Sequence, residues 1–210
     1  LTTDQVNTLG TTTITYLSGS QIGALETRDV AVLTTANIDK LNSAQIQSLK
    51  STQVAALTTA QVASLGTATL SQFGSTQLAG LGTSLIGSLT SSNISGLTSS
   101  QVSGLTPNQI GVLSTSNVAA LQTSLVSNLS KAQLIALTTS QVAALTTATV
   151  SALTGTQLGY LENVDVAALS TTNLSKLTTA QWSGITAIQL ANLTTTQLNA
   201  LTSSALAGLS

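Results

Sequence analysis

Two pairs of acidic residues are the side chains of this sequence best placed to act together in chemistry. Glu26 with Asp29, and Glu162 with Asp165, lie three residues apart, which puts both carboxylates of a pair on one helical face. Such pairs could contribute oxygen ligands to Ca²⁺, or serve as general acid and base. Neither pair lies in a ligand-dense loop, and nothing nearby indicates a pocket. We therefore interpret all four as anionic residues at helix starts, keep a calcium site as the alternative, and predict no cofactor.

Hydroxyl side chains are abundant, but the groups that usually activate them are missing. The chain contains no His, Cys or Met, so a conventional catalytic triad, a thiolate nucleophile and the usual zinc sites are excluded. Lysines stand beside serines at Ser130–Lys131 and Ser175–Lys176, where an amine could in principle act as a base. No further feature supports that role. We predict that the protein is not an enzyme.

Composition limits the partners and the environment of the chain. Only 5% of residues are charged and the net charge is -1, so the clustered cations that neutralise nucleic-acid phosphates are absent. Polar residues interrupt every apolar run well before the length of about 18 residues that a membrane span needs. We predict neither nucleic-acid binding nor membrane insertion. Abundant Thr and Ser without Cys suit a secreted or cell-surface protein, and we predict that localisation.

The elements that position these residues follow an eight-residue repeat. From Leu1 onward every eighth residue is Leu, except Phe73 and Ile185, and five residues after each comes a second apolar residue. We number the repeat from the Leu, so that the apolar positions are 1 and 6. A continuous helix would rotate this pattern by about 80° per octad, and a β-strand requires a period of two. The chain must therefore be interrupted once in each octad.

The interruption has the chemistry of a helix N-terminus. Thr at position 2 and Gln at position 5 form a capping-box pattern, and positions 1 and 6 are then the two residues of a hydrophobic staple. The only proline, Pro107, falls at the first helical position, where proline is favoured. Capping pairs are predicted at Thr58 and Gln61, Thr98 and Gln101, and Thr138 and Gln141. Predicted core residues are Leu57, Val62, Leu97, Val102, Leu137, Val142, Leu177 and Trp182.

These features predict an all-α fold, a solenoid of very short capped helices with one helix of about six residues per octad, at positions 3 to 8. Helices that short are unstable alone and must pack on neighbouring octads. The alternative is a Thr-rich β-solenoid. We expect residues 1–210 to form one continuous solenoid of 26 octads, as a fragment of a longer array or as a filament subunit.

The motif Leu-Thr-Thr-x-Gln-Val resembles the octapeptide arrays of long bacterial extracellular and surface proteins. The resemblance covers the whole chain and implies a secreted spacer, stalk, adhesin or filament component without catalytic residues. The expected partners are neighbouring repeats or further copies, joined end to end, and an extracellular surface such as a glycan. The alternative function is a module that binds ice, polysaccharide or mineral through its repeated Thr, Ser and Gln side chains.

Overall fold

A computed structural model describes residues 1–209, and every regular element within them is an α-helix. The predicted fold class, a helical repeat solenoid rather than a β-solenoid, is confirmed. Contacts group the chain into two compact units, Leu1–Leu113 and Ser114–Ser210, each described separately here. No helix of the described residues has the length and apolar character needed to cross a membrane.

Each octad contributes one helix to its unit. The helices of the first unit are α1 Thr3–Asn7, α2 Thr11–Thr15, α3 Gly19–Gly23, α4 Thr27–Val32, α5 Thr35–Asp39, α6 Ser43–Gln47, α7 Ser51–Ala55, α8 Thr59–Ala63, α9 Thr67–Leu70, α10 Ser75–Ala79, α11 Thr83–Gly87, α12 Ser91–Ser95, α13 Ser99–Gly104 and α14 Pro107–Gly111. Those of the second unit are α15 Thr115–Ala119, α16 Thr123–Val126, α17 Lys131–Ile135, α18 Thr139–Ala143, α19 Thr147–Ala152, α20 Gly155–Leu158, α21 Asn163–Val166, α22 Thr171–Ser175, α23 Thr179–Trp182, α24 Ala187–Ala191, α25 Thr195–Asn199 and α26 Ser203–Gly208.

Every helix begins at position 3, after an extended residue at position 2. Thr58, for example, has φ -84° and ψ 158°, and its hydroxyl accepts the backbone N–H of Gln61. Most helices end at position 6 or 7, one or two residues earlier than we expected, and the residue that follows, at position 7 or 8, is the C-cap. No described residue has a positive φ, so the corner between helices is built from extended backbone without a left-handed residue.

Within each unit a helix packs on the one three octads later. In the first unit α1 contacts α4, α3 contacts α6 and α10 contacts α13. In the second, α16 contacts α19, α20 contacts α23 and α23 contacts α26. Side-chain hydrogen bonds join residues 26 to 31 positions apart, for instance Thr3 with Asp29 and Gln45 with Ile14. Between three and four octads therefore complete one coil, a number that the sequence alone did not provide.

The core of each unit consists of the two apolar positions. Position 6 is fully buried in most octads, as at Val62 and Val142, and position 1 is nearly so, as at Leu57 and Leu137. The other predicted core residues, Leu97, Val102, Leu177 and Trp182, are buried in the same way. The apolar positions of the first and last octads are different, since Leu1, Leu198 and Leu206 are exposed.

Close backbone approach occurs where positions 3 and 8 of stacked helices meet. Gly184, at position 8, lies against Gly155, at position 3 three octads earlier, and a Cβ on Gly184 would collide with the backbone of Gly155. Gly104 faces Ser75 in the same relation, with Ser75 Cβ at 2.5 Å from where a Cβ would stand. Small residues at position 8 therefore allow consecutive coils to pack tightly.

Candidate functional site

The side chain at position 5 is the polar centre of each octad. Gln61 accepts the backbone N–H of Thr58 on its Oε1 at 2.7 Å, which caps its own helix. Its Nε2 donates to the carbonyl oxygens of Val30 at 2.9 Å and Leu33 at 2.7 Å, in an earlier coil. Those carbonyls lie at the C-terminal end of α4, where a helix leaves carbonyls without intrahelical partners. One carboxamide thus links the start of a helix to the end of another.

We call this set of three bonds the glutamine clamp. In each case the Oε1 accepts the N–H at position 2 of the same octad, and the Nε2 donates to carbonyls 28 and 31 residues earlier. The complete clamp is formed by Gln45, Gln53, Gln61, Gln77, Gln101, Gln109, Gln157, Gln181 and Gln189. The clamp is therefore a repeated structural device of both units.

The predicted capping pairs lie where the register placed them. The N–H of Thr98 donates to Gln101 Oε1 at 2.8 Å, and the N–H of Gln101 donates back to Thr98 Oγ1 at 3.3 Å. Thr138 and Gln141 form the same reciprocal pair at 2.7 and 3.3 Å. The sequence pattern indicated this local half of the clamp. It did not indicate the bonds to the earlier coil.

Asparagine at position 5 forms a shorter version of the clamp. Asn173 Nδ2 donates to the carbonyl of Leu145, 28 residues earlier, at 3.0 Å. Its Oδ1 accepts the hydroxyl of Thr147 at 2.9 Å, so the amide still bonds with both of its polar atoms. Because the side chain is one methylene shorter, it bonds to one carbonyl of the earlier coil instead of two.

The first acidic pair is engaged in helix capping. Asp29 is buried and accepts the hydroxyl of Thr3 at 2.8 Å and the backbone N–H of Glu26 at 3.1 Å. Glu26 forms an exposed ion pair with Arg28, with 2.8 Å between Glu26 Oε2 and Arg28 Nε. In the described part of the chain, no three acidic, His or Cys side chains are grouped closely enough to hold a metal ion. The calcium alternative gains no support from this geometry.

The second acidic pair differs in its electrostatics. Asp165 is buried and accepts the hydroxyl of Thr139 at 2.8 Å. Burial raises the pKa of Asp165 above its ordinary value, and the neighbouring Glu162 carboxylate acts in the same direction, while the Thr139 hydrogen bond opposes them. Asp165 also stands where other octads place an amide donor. The raised pKa therefore reflects a carboxylate buried at a clamp position.

Three charged residues outside the acidic pairs each have a structural place. Asp39 Oδ1 accepts the N–H of Gly66 at 2.9 Å and so takes the acceptor role that a position-5 Gln has in other octads, where Thr69 stands here. Lys50 is an N-cap residue. Lys131 places its ammonium 5.2 Å from the ring centroid of Tyr160, a cation–π contact. None of the three belongs to a catalytic cluster.

Each serine that precedes a lysine has a hydrogen-bonded hydroxyl. Ser130 Oγ donates to Gln133 Oε1 at 3.1 Å, and Ser175 Oγ donates to the Thr172 carbonyl at 2.9 Å. Both hydroxyls are thereby used within their own helices. Of the aromatic residues, Trp182 is fully buried, whereas Tyr16 is exposed.

The surface that remains available is the outer side of positions 2 to 4. Thr138, Thr139 and Ser140 are all exposed, and most octads expose Thr, Ser or another small residue at these three positions. We call these positions the hydroxyl face. The hydroxyl at position 2 caps the helix through its oxygen, and some position-3 hydroxyls, such as those of Thr3, Thr139 and Thr147, donate to a position-5 side chain of another coil.

A family model described as the ALTTAQ repeat matches residues 22–59 in the first unit and 158–195 in the second. No curated protein matches the chain. The hexapeptide in the family's description also stands in this sequence at 56–61, across the corner and the clamp of one octad. Over the two matched stretches the chain is therefore similar to ALTTAQ repeats, and it is a repeat protein.

Proposed function

We propose that this repeat protein has a structural role, as an extracellular or cell-surface spacer, stalk or filament building block without catalysis. The observation that carries the proposal is the glutamine clamp. Interior polar side chains such as Gln61 bond to the backbone of an earlier coil, so the buried chemistry of each octad serves to hold coils together. A segment that keeps two objects at a fixed separation needs this resistance to slippage between coils.

Composition and resemblance support the same role. The surface is dominated by neutral hydroxyl and small side chains. Only 5% of residues are charged, so the chain has few groups that could form ion pairs with a charged partner. The absence of Cys and the similarity to octapeptide arrays of long bacterial surface proteins favour a location outside the cell. Nucleic-acid binding and membrane insertion have no place in this proposal.

Rigidity within one unit tests the spacer role. The chain lacks Cys, so spin labels can be placed at two introduced cysteines, Thr11→Cys and Ser99→Cys, both at exposed positions of the first unit. A spacer gives one narrow distribution of label separations by pulsed electron resonance. A broad distribution, of the width expected for a flexible linker, would contradict the proposal.

The second candidate function is binding to an ordered surface such as ice or a polysaccharide. The observation in its favour is the exposure of the hydroxyl face, as at Thr59, Ser99 and Thr115. These three residues are at position 3, do not cap helices and do not bond to a buried carboxylate, so replacing them by Lys should leave the fold intact. If the wild-type chain shapes ice crystals or sediments with insoluble polysaccharide and this triple variant does not, the binding function is favoured over a passive spacer.

A further inference from the structure

The two oxygens of the buried acid Asp165 have unequal surroundings. The side chain is 1% exposed, and its Oδ1 accepts the hydroxyl of Thr139 at 2.8 Å. Its Oδ2 is buried and has no hydrogen-bond partner within the described residues. Asp29, at position 5 of the first acidic pair, is different, because one of its oxygens accepts the Thr3 hydroxyl and the other accepts the Glu26 N–H. Asp165 therefore buries an acceptor without a donor, and Asp29 does not.

Asn173, in the next octad, shows what the second atom of such a side chain contacts when it carries a hydrogen. Its Oδ1 accepts the hydroxyl of Thr147, 26 residues earlier, which is the relation that Asp165 has to its own threonine. Its Nδ2 donates to the carbonyl oxygen of Leu145, 28 residues earlier, at 3.0 Å. The residue 28 positions before Asp165 is Leu137, and no donor in the described part of the chain bonds to the Leu137 carbonyl oxygen. Because Asp and Asn have the same shape, this oxygen is the acceptor available to a hydrogen on Asp165 Oδ2.

We propose that Asp165 takes up a proton from solvent on Oδ2 and donates it to the Leu137 carbonyl, so that the contact of α21 with α18 tightens on acidification and loosens when the carboxyl ionises. An ionised Asp165 would bring a carboxylate oxygen against a carbonyl oxygen, and both are acceptors. The protonated form supplies the bond between coils that glutamine and asparagine supply in other octads. The proposal adds a pH-sensitive contact to the second unit and is independent of the spacer role.

The electrostatic surroundings of Asp165 favour uptake of the proton. Burial is the largest cause that raises the pKa of Asp165, and the Glu162 carboxylate raises it further. The Thr139 hydroxyl lowers this pKa, as does the Glu162 backbone N–H, which makes no hydrogen bond of ordinary geometry with the carboxyl. Helix α21 packs on α18 and α24. The octads of those two helices, residues 137–144 and 185–192, contain no charged or titratable side chain.

The remaining titratable groups near α21 belong to neighbouring octads. Tyr160 lies in the octad before Asp165 and Lys176 in the octad after it, and the Lys131 ammonium lies over the Tyr160 ring. The pKa of Asp165 is shifted by burial and by its contacts with Thr139 and Glu162, and by none of these three groups. No cation therefore compensates the ionised carboxyl.

Titration of the carboxyl groups by nuclear magnetic resonance tests the uptake of the proton. The chain is labelled with carbon-13 aspartate, and Asp165→Asn identifies the Asp165 resonance. We expect a titration midpoint above the ordinary value of 3.8. Glu162→Gln should move this midpoint down because a like charge is removed, and Thr139→Val should move it up because the lost hydroxyl favoured the ionised form. A midpoint at or below 3.8, or shifts in the reverse directions, would overturn the proposal.

Hydrogen exchange tests whether the proton tightens the contact. A carboxyl whose folded-state pKa is raised stabilises the fold below its unfolded pKa, and this stabilisation is lost as the pH rises through the folded pKa. The protection factors of the Val142 and Val166 amides, corrected for the intrinsic pH dependence of exchange, should therefore fall as the pH rises. The expected loss is about tenfold for each unit by which folding raises the pKa.

Two variants serve as controls for the exchange measurement. In Asp165→Asn, which carries a donor at every pH, the two protection factors should stay constant across the titration of the wild-type carboxyl. Asp29→Asn should leave the pH dependence of the second unit unchanged, because both oxygens of Asp29 already accept a hydrogen. An equal loss of protection in Asp165→Asn and in the wild-type chain would contradict the proposal.

The same titration in different salts separates a proton from a metal ion as the group between Asp165 and the Leu137 carbonyl. Chlorides of sodium, potassium and calcium are compared at constant ionic strength. A bridging proton gives the same midpoint in all three salts. A midpoint that depends on which cation is present would show that a cation takes the place of the proton, and the proposal would then be wrong.

Discussion

Replacing one clamp glutamine by glutamate should destabilise its unit sharply, although the two side chains have nearly the same shape. In Gln61→Glu the bond from the Thr58 N–H can persist, but the two donor bonds to Val30 and Leu33 cannot, and each is worth about 1 kcal/mol. A buried carboxylate would instead face two carbonyl oxygens without a donor. An uncompensated buried charge costs about 3–5 kcal/mol, so we expect the free energy of unfolding to fall by this amount at neutral pH.

The assay is thermal and urea unfolding followed by circular dichroism. A loss of this size lowers the melting temperature by roughly 15 °C or more in a domain of about 100 residues. The introduced carboxyl should have a raised folded-state pKa, so its penalty is present above that pKa and is relieved as the pH falls through it. Acidification should therefore narrow the gap between variant and wild type.

Two further variants separate charge from lost bonds. Gln5→Glu is the matched control, because Gln5 is exposed and, within the described residues, its side chain bonds only to the local Thr2 N–H. It should be neutral or slightly stabilising, since a carboxylate suits the first turn of a helix. Gln61→Leu should lower the free energy of unfolding by less than Gln61→Glu does, because Leu85 already occupies position 5 as a buried residue. The reasoning is refuted if Gln61→Glu unfolds within about 0.5 kcal/mol of wild type, the range of ordinary surface substitutions.

Three other substitutions test the remaining features. Asp165→Asn should stabilise the second unit by about 1 kcal/mol at neutral pH in urea unfolding, since the amide can donate to the earlier coil. Because the pKa of Asp165 is raised, the free-energy cost of burying its carboxylate is relieved as the pH falls toward 3.8. The gain in stability from Asn should therefore shrink on acidification. A gain that grows as the pH falls would be evidence against this account. Leu137→Ser with Val142→Ser should cost more than about 4 kcal/mol and broaden the thermal transition, and an unchanged transition would contradict the core assignment. Gly184→Val should lower the melting temperature because its side chain would meet the Gly155 backbone, whereas Ser183→Val, at an exposed neighbour, should have little effect.

Much of the fold was predictable because its signals are local. The invariant spacing of positions 1 and 6 identified Leu57 and Val62 as a pair flanking a corner, and Thr58 with Gln61 placed that corner by capping chemistry. Both inferences need only residues within one octad. The helices are nevertheless shorter than we expected, because the local pattern does not specify where position 8 leaves the helix.

The long-range part of the site could not be predicted in the same way. The partner of Gln61 Nε2 lies 28 or 31 residues earlier, and that offset depends on how far each corner turns the chain. A signal was present in the composition of position 5, where Gln, Asn, Asp, Thr, Leu and Ala occur but Glu does not. A capping box accepts Glu as readily as Gln, and the helix dipole favours Glu. Gln and Asn, which carry a donor as well as an acceptor, occupy 18 of the 26 position-5 sites, and this predominance of amides indicates a demand for a donor that local capping does not create.

Octads that depart from the repeat keep a bond between coils, although a different type of residue supplies it. In the octad of Gly66 position 5 is Thr69 instead of Gln, and Asp39, 27 residues earlier, accepts the Gly66 N–H that a Gln Oε1 accepts elsewhere, while Thr69 donates to the same carboxylate oxygen at 3.0 Å. At Asn173 a shorter amide keeps one bond to the earlier coil. Threonine and asparagine at position 5 would both weaken an isolated capped helix, because neither matches Gln in a capping box. Each is tolerated because a stacked coil provides or accepts the missing bond, so the stable unit is the stack of coils and not the single octad.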